Sequence, residues 1–252
     1  MKTKTALITG GSRGLGRDMA LNLAKKGMDI ILTYHSNATA AEEVVREIKR
    51  TGQNAKAFQL NTGNPKGFGD FFDQVAEHLR GENGSSHFDY LINNAGTGLS
   101  QRFAETTEEQ LDDMFNIHLK GVYFFTQRAL GYLNDGGGIV NLSSGLTRFT
   151  FPNSSAYAAM KGAVEVFTRY LAKELGSRKI RANVVAPGAI ATDFGGGDTR
   201  DNEQKRGALT HLTALGRVGE AEDIGGVVAF LCTDDARWIN GQRIEVSGGV
   251  LL

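Results

Sequence analysis

TALITGGSRGLGRDMA, residues 5 to 20, runs from a short apolar segment through a glycine-rich turn into a stretch of helical period. A strand that opens through glycines into a helix brings backbone close to a ligand. The helix N-terminus offers free N–H groups and the positive end of its dipole to an anion such as a pyrophosphate. Gly10, Gly14 and Gly16 are spaced G-x-x-x-G-x-G rather than the commoner G-x-G-x-x-G. A plain tight turn would use the same residues, but the position at the first strand-to-helix junction favours a dinucleotide site.

The same alternation continues along the chain. Apolar runs at residues 5 to 9, 29 to 34, 55 to 60, 89 to 94, 138 to 143, 180 to 186 and 242 to 247 read as strands. Most are nearly continuous in apolar residues, as parallel strands covered on both faces are. Helical period fills about 14 to 26, 38 to 51, 65 to 80, 107 to 133, 154 to 177 and 220 to 232. The repeated βα order predicts a single-domain α/β fold over residues 1 to 252. It is a Rossmann-type doubly wound parallel sheet of about seven strands with helices on both faces. Loops after the strand C-termini then share the edge where such sheets bind ligands. The glycine-rich segment from residue 192, TDFGGGDTRDNEQKRG, is too long for a simple connection, and residues 192 to 214 read as a substrate-binding lid.

Twenty-eight basic and 28 acidic side chains cancel, so no strong overall field would hold nucleic acid or an anionic membrane. No apolar run of about 18 residues is present, and the opening MKTKTALITGG is too short in apolar residues for a secretory signal. The lone Cys232, in the apolar run VVAFLC, excludes an intrachain disulfide framework and suits a reducing compartment. A cytoplasmic protein without a metal, a nucleic-acid partner or a membrane partner is expected.

At the end of the second strand, Tyr34, His35, Ser36 and Asn37 supply no carboxylate to hold a ribose 2′-OH. Arg13, inside the glycine turn, can pair with a 2′-phosphate, which favours NADP(H) and leaves NAD(H) open. A solvated arginine in a neutral loop is the other reading. INNAG, residues 92 to 96, ends the fourth strand in amides and small residues that suit either a simple turn or close approach to a nucleotide.

Tyr157 and Lys161 lie four residues apart, on one face of a predicted helix. Tyrosine ordinarily has a pKa of about 10, and a nearby ammonium lowers it towards a value useful in proton exchange. Spacing alone favours packing over chemistry. IVNLSSG ends the preceding strand, however, and delivers Ser143 and Ser144 to the same ligand edge.

Taken together the chain resembles the short-chain dehydrogenase/reductase family. The resemblance rests on Thr9 to Gly16 as T-G-x-x-x-G-x-G, N-N-A-G at Asn93 to Gly96, and Asn116 in MFNIHLKG. It rests also on Ser144 thirteen residues before Tyr157, Y-x-x-x-K, and PGAIAT at 187 to 192. It implies that Ser144 orients the substrate oxygen, Tyr157 donates the proton, and Lys161 lowers the Tyr157 pKa and binds the nicotinamide ribose. Asn116 would hold a water that links Lys161 to solvent. The resemblance places the cofactor against Gly10, Ser12, Arg13, Gly14, Leu15 and Gly16. Its other contacts would be His35, Ser36, Asn61, Thr62, Asn94, Ala95, Gly96, Tyr157, Lys161, Pro187, Gly188, Ile190 and Thr192. Asn61 and Ser247 stand where the family usually has aspartate.

The implied reaction is NADP(H)-dependent reduction of a ketone or ketoester, or oxidation of the matching alcohol, with Tyr157 as proton donor. Reduction of a 3-oxoacyl group on acyl carrier protein is the alternative. LNDGGG, with Asp135, lacks the basic residues that meet such a carrier, although Arg178 remains. The enoyl-reductase branch usually spaces tyrosine and lysine more widely than here. A catalytically silent dinucleotide-binding scaffold is the reading from another class. Leu146, Phe149, Phe151 and Phe194 can build an apolar substrate pocket. The resemblance also implies a homotetramer or homodimer with the Tyr157 helix and the C-terminal segment at interfaces.

Overall fold

The two-residue period of a strand decides the layering. In β1 (Thr5–Ile8), Ala6 and Ile8 enter one apolar core and Leu7 enters the other. The computed structural model describes residues 3–252. After β1 come β2 (Asp29–Tyr34), β3 (Ala55–Gln59), β4 (Phe88–Asn93), β5 (Leu133–Leu142), β6 (Arg181–Pro187) and β7 (Arg243–Val246). They form one parallel sheet in the order β3-β2-β1-β4-β5-β6-β7.

The helices are α1 (Gly14–Lys25), α2 (Ala38–Arg50), α3 (Phe68–Asn83), α4 (Glu108–Phe115), α5 (Gly121–Ala129) and α6 (Ser155–Glu174). Then follow α7 (Asp198–Asp201), α8 (Glu203–Leu212) and α9 (Glu222–Leu231). Met19, Leu23, Val44, Ile48, Ile224 and Val228 bring α1, α2 and α9 onto one face of the sheet. Phe68, Phe72, Phe125 and Leu171 bring α3, α5 and α6 onto the other. The doubly wound α/β sheet expected from the alternation is therefore the fold. After β3 the chain crosses back to β4 on the far side of β1, so the strand order reverses between β1 and β4. Their C-terminal ends form the crevice where such sheets take ligands.

Three stretches differ from the sequence expectation. The helix expected over 107 to 133 ends at Ala129 and is interrupted by a π turn over Asn116–Lys120. Gly121, just after that turn, lies so close to the Thr62 carbonyl that a Cβ would overlap it. Strand β5 begins at Leu133 rather than 138, because Gly136 (φ 78°) and Gly137 allow a register shift against β4. The segment from 192 is largely helical: α7 and α8 follow a short turn at Phe194–Gly197, and Asn202 caps α8 through Lys205 N.

A buried polar chain ties the sheet to helices α5 and α6. Asn93 Nδ2 donates to Thr126 Oγ1 on α5 (2.9 Å) and to Asn141 Oδ1 on β5 (2.7 Å). Asn141 Nδ2 donates in turn to Thr168 Oγ1 on α6 (2.9 Å). Hydrogen bonds of this kind are directional, so they set the position of α6 along the sheet more tightly than apolar packing does. Asn141→Leu keeps the volume but leaves Asn93 Nδ2 short of an acceptor. It is expected to cost about 1–3 kcal/mol in denaturant unfolding. A loss below about 0.5 kcal/mol would show that the chain is not a structural tie.

Candidate active site

The first turn is shaped for a nucleotide. Gly10 (φ 68°) and Gly14 (φ 51°) take left-handed backbone that other residues rarely adopt. A Cβ on Gly10 would stand 2.9 Å from the Ala95 backbone, and one on Gly16 would overlap the Gly10 carbonyl. The turn is braced from β4: Asn94 N and Ala95 N donate to Thr9 Oγ1 (both 3.0 Å), and Asn94 Nδ2 donates to the carbonyls of Thr9 and Gly10. Asn94 and Ala95 thus hold the glycine turn open as well as lying beside it. Helix α1 starts with no side chain capping its first N–H groups, so those donors face the crevice unpaired with side-chain acceptors. These residues fit a dinucleotide pyrophosphate.

Around that turn the expected contacts cluster unevenly. Thr192 lies over Gly14, with its Cβ 3.6 Å from where a Gly14 Cβ would be, so the end of PGAIAT closes onto the glycine turn. Gly188 packs on Ser247, and Ile190 pairs with Gly219 in an isolated bridge. His35 and Ser36 are exposed at the end of β2, with Gln59 Nε2 donating to the His35 carbonyl. Asn61 is exposed and its side chain accepts from Gly63 N. Arg13 points outward with its guanidinium 3.9 Å from Asp193, a residue that also pairs with Arg200.

The chemical end is built by the loop after β5 and the first turns of α6. Ser144 Oγ accepts from Leu146 N (3.2 Å), which leaves its own hydrogen to turn to the Tyr157 oxygen or to a substrate oxygen. Lys161 is buried, donates to the Leu142 carbonyl (2.7 Å), and sits with Nζ 5.6 Å from the Tyr157 ring centroid. Two further Lys161 N–H bonds are free for a ribose hydroxyl and for the phenol. The Tyr157 ring is enclosed by His118 at 5.0 Å, edge-on, and by Phe194 of the segment after β6 at 5.7 Å.

That enclosure changes the electrostatic expectation. The Tyr157 phenol was expected below its ordinary pKa, through Lys161. Burial instead raises it, with the Ser144 hydroxyl opposing, because removing the phenolate from water outweighs the nearby donor. Tyr157 therefore stands protonated at neutral pH. Burial also lowers Lys161 to about 8.

Ser144, Tyr157 and Lys161 are brought together, but the ring that packs on Tyr157 from the π turn is that of His118 rather than the Asn116 side chain. Asn116 opens the π turn, and its backbone carbonyl accepts from Gly121 N. Glu165 was also missed. It continues the Tyr157, Lys161 stripe by one more turn of α6 and accepts from Ser143 Oγ (2.6 Å), Thr147 Oγ1 (2.7 Å) and Arg243 Nε (2.8 Å). Arg243 Nη2 reaches the Ser144 carbonyl at 3.3 Å, so this pair fixes the serine loop. The i, i+4 spacing continued to residue 165 was the available signal. Arg243 is far away in sequence and left none. Of the proposed apolar pocket, Phe194 touches Tyr157, whereas Phe149 and Phe151 pack on each other at 5.7 Å.

Comparison with known proteins agrees with this geometry. Residues 10–251 match a family model described as enoyl-(acyl carrier protein) reductase. Hydroxynaphthalene reductase-like protein Arp2 of Metarhizium brunneum is 37% identical, over 98% of this chain and 94% of that protein. Tetrahydroxynaphthalene reductase PfmaG of Pestalotiopsis fici is 36% identical, over 98% of this chain and 91% of its own length. The crystal structure of angucycline C-6 ketoreductase LanV with bound NADP superposes with a TM-score of 0.93 at 40% identity, covering 98% of this chain and 95% of that one.

The buried lysine gives a thermodynamic test. Its folded pKa of about 8 lies below the ordinary 10.5, so between these values the unfolded chain binds more protons and stability rises with pH. The penalty is complete below about 8 and is relieved towards 10.5. Lys161→Met has no such titration. Its stability relative to the parent chain should fall by about 3 kcal/mol between pH 7 and pH 10.5, measured by denaturant unfolding. A difference independent of pH would contradict a depressed Lys161.

Proposed function

The chain belongs to the short-chain dehydrogenase/reductase family, and we propose that it is an NADP(H)-dependent carbonyl reductase with Tyr157 as its proton donor. The observation that carries this reading is the protonated, enclosed Tyr157 phenol between Ser144 and Lys161, at the strand-end crevice below the glycine turn. The relatives and the structural neighbour described above are named for reduction of hydroxynaphthalenes and of an angucycline ketone. They support a free ketone as substrate, with fused aromatic rings as the class to try first, and Phe194 offers a flat apolar face to such a ring.

Bound NADPH supplies the hydride. Ser144, with its acceptor side occupied by Leu146 N, donates to the substrate oxygen and fixes the carbonyl. Tyr157 gives its proton to that oxygen as negative charge develops. Lys161 then faces a phenolate, and its ammonium stabilises the charge left behind. For the 2′-phosphate, Arg13 is the nearest cation in the turn, and moving away from Asp193 frees it for that role. The bound NADP of the structural neighbour supports this cofactor over NAD(H).

Reduction on acyl carrier protein has less support. Arg178 is tied to Asp135 (2.7 Å) and to the carbonyls of Leu130 and Leu133, so that cation is already satisfied. We further propose a homodimer or homotetramer in the cytoplasm. Tyr123, Phe124, Val166 and Tyr170 leave an apolar face exposed on α5 and α6, and Trp238 and Leu252 are almost fully exposed towards the C-terminus. Among the described residues no helix is long and apolar enough to cross a membrane.

NADPH absorbance followed with a panel of naphthalenone, quinone and ketoester substrates tests the reading. At least one is expected to turn over, faster with NADPH than with NADH. Tyr157→Phe should lose about 10²–10⁴-fold in kcat while binding NADPH as before. Tight NADPH binding without turnover of any carbonyl would favour a silent scaffold, and near-normal turnover by Tyr157→Phe would remove it as the acid.

A further inference from the structure

Two adjacent serines follow β5, and their hydroxyls are engaged differently. Ser143 is buried, and its Oγ donates to Glu165 Oε1 at 2.6 Å, so its one hydrogen is taken. Ser144 Oγ accepts from Leu146 N at 3.2 Å, and its hydrogen remains for the Tyr157 oxygen or a substrate oxygen. The two side chains leave an extended backbone in opposite directions, so the groups that fix one also decide where the other points.

Those groups come from α6 and from the last strand. Arg243 on β7 donates from Nε to Glu165 Oε1 (2.8 Å) and from Nη1 to Glu245 Oε2 (3.1 Å). Its Nη2 reaches the Ser144 carbonyl (3.3 Å) and Thr147 Oγ1 (3.1 Å). A guanidinium is a rigid planar fork, so one side chain sets α6, the serine loop and β7 in register. Glu245, two residues on and on the same face of β7, accepts from Arg148 Nη1 (2.7 Å) at the far end of that loop. The loop is gripped at both ends. Arg243 and Glu165 are only 23% and 13% exposed in their side chains, where apolar replacements of such a pair are often no less stable. Stability alone therefore does not account for a fork that also holds the Ser144 carbonyl.

We propose that Glu165 and Arg243 are a positioning pair for Ser144: they engage the Ser143 hydroxyl, hold the Ser144 carbonyl, and so leave the Ser144 hydroxyl aimed at the substrate oxygen. The proposal rests on the reading of Ser144 as donor to that oxygen. It adds the two groups, neither touching substrate, that select one serine of the pair and fix its direction.

The test is a double-mutant cycle of Arg243→Met with Ser144→Ala, read as steady-state kinetics. In the parent background kcat should fall about tenfold while NADPH affinity stays within about threefold, because the donor is misplaced and the nucleotide turn is not. In Ser144→Ala the same substitution should change kcat less than about twofold, since no hydroxyl is left to aim. Equal losses in both backgrounds, or an unchanged kcat in the parent background, overturn the proposal. A second readout needs neither cofactor nor carbonyl: amide hydrogen exchange at Leu146, whose N–H is held by Ser144 Oγ. Arg243→Met should speed it about tenfold, with residues 9 to 16 exchanging as before. An unchanged Leu146 rate, or a rise shared by the glycine turn, overturns the proposal. If Arg243→Met does not fold, Glu165→Gln, which keeps the shape and removes the charge, replaces it in both measurements with the same expected directions. A parent chain that reduces no carbonyl would sink the functional reading, yet exchange at Leu146 would still judge the pair.

Discussion

Enclosure of the Tyr157 phenol is the constraint on which the rest of the site depends. A phenol in water at neutral pH is protonated, and an ammonium beside it would be screened. Between His118, Phe194 and Lys161 the phenol holds its proton still more tightly, and the nearby charge acts through a medium of low polarity. The cost falls on Lys161, whose ammonium is held in a buried position by one carbonyl. Stability is given up at this point, a trade common at functional sites, and in the proposed reaction the charge so held faces the phenolate.

The sheet makes that enclosure reproducible. The reversal of strand order between β1 and β4 opens the crevice, and the amides of Asn94 brace the glycine turn on one side of it. On the other side the buried Asn93, Asn141 and Thr168 chain fixes α6, and the Glu165–Arg243 pair fixes the loop that carries Ser144. The glycine turn and Tyr157 are thus held by one polar framework that crosses the sheet, and the segment after β6 completes it by laying Thr192 over Gly14 and Phe194 on Tyr157.

Much of this was legible in the sequence because it depends on local period and spacing. Apolar runs separated by helical stretches gave the strands to within a few residues, except where glycines 136 and 137 permit a bulge that no periodicity announces. Tyr157 and Lys161 share a face because α6 is regular. His118 escaped because the segment that carries it is not. In an α-helix residues 116 and 118 lie about 200° apart, so a reading that turns Asn116 inward turns His118 out. The π turn alters that phase. The sign of the Tyr157 shift was likewise illegible, since it depends on rings from two other segments closing over the phenol.

Ultraviolet titration of tyrosine in the cofactor-free chain, as the difference between the parent and Tyr157→Phe, tests the central claim most directly. The account predicts that Tyr157 contributes no phenolate absorbance below about pH 10, the ordinary tyrosine value. A tyrosine that ionises near or below pH 8, and is lost in Tyr157→Phe, would contradict it.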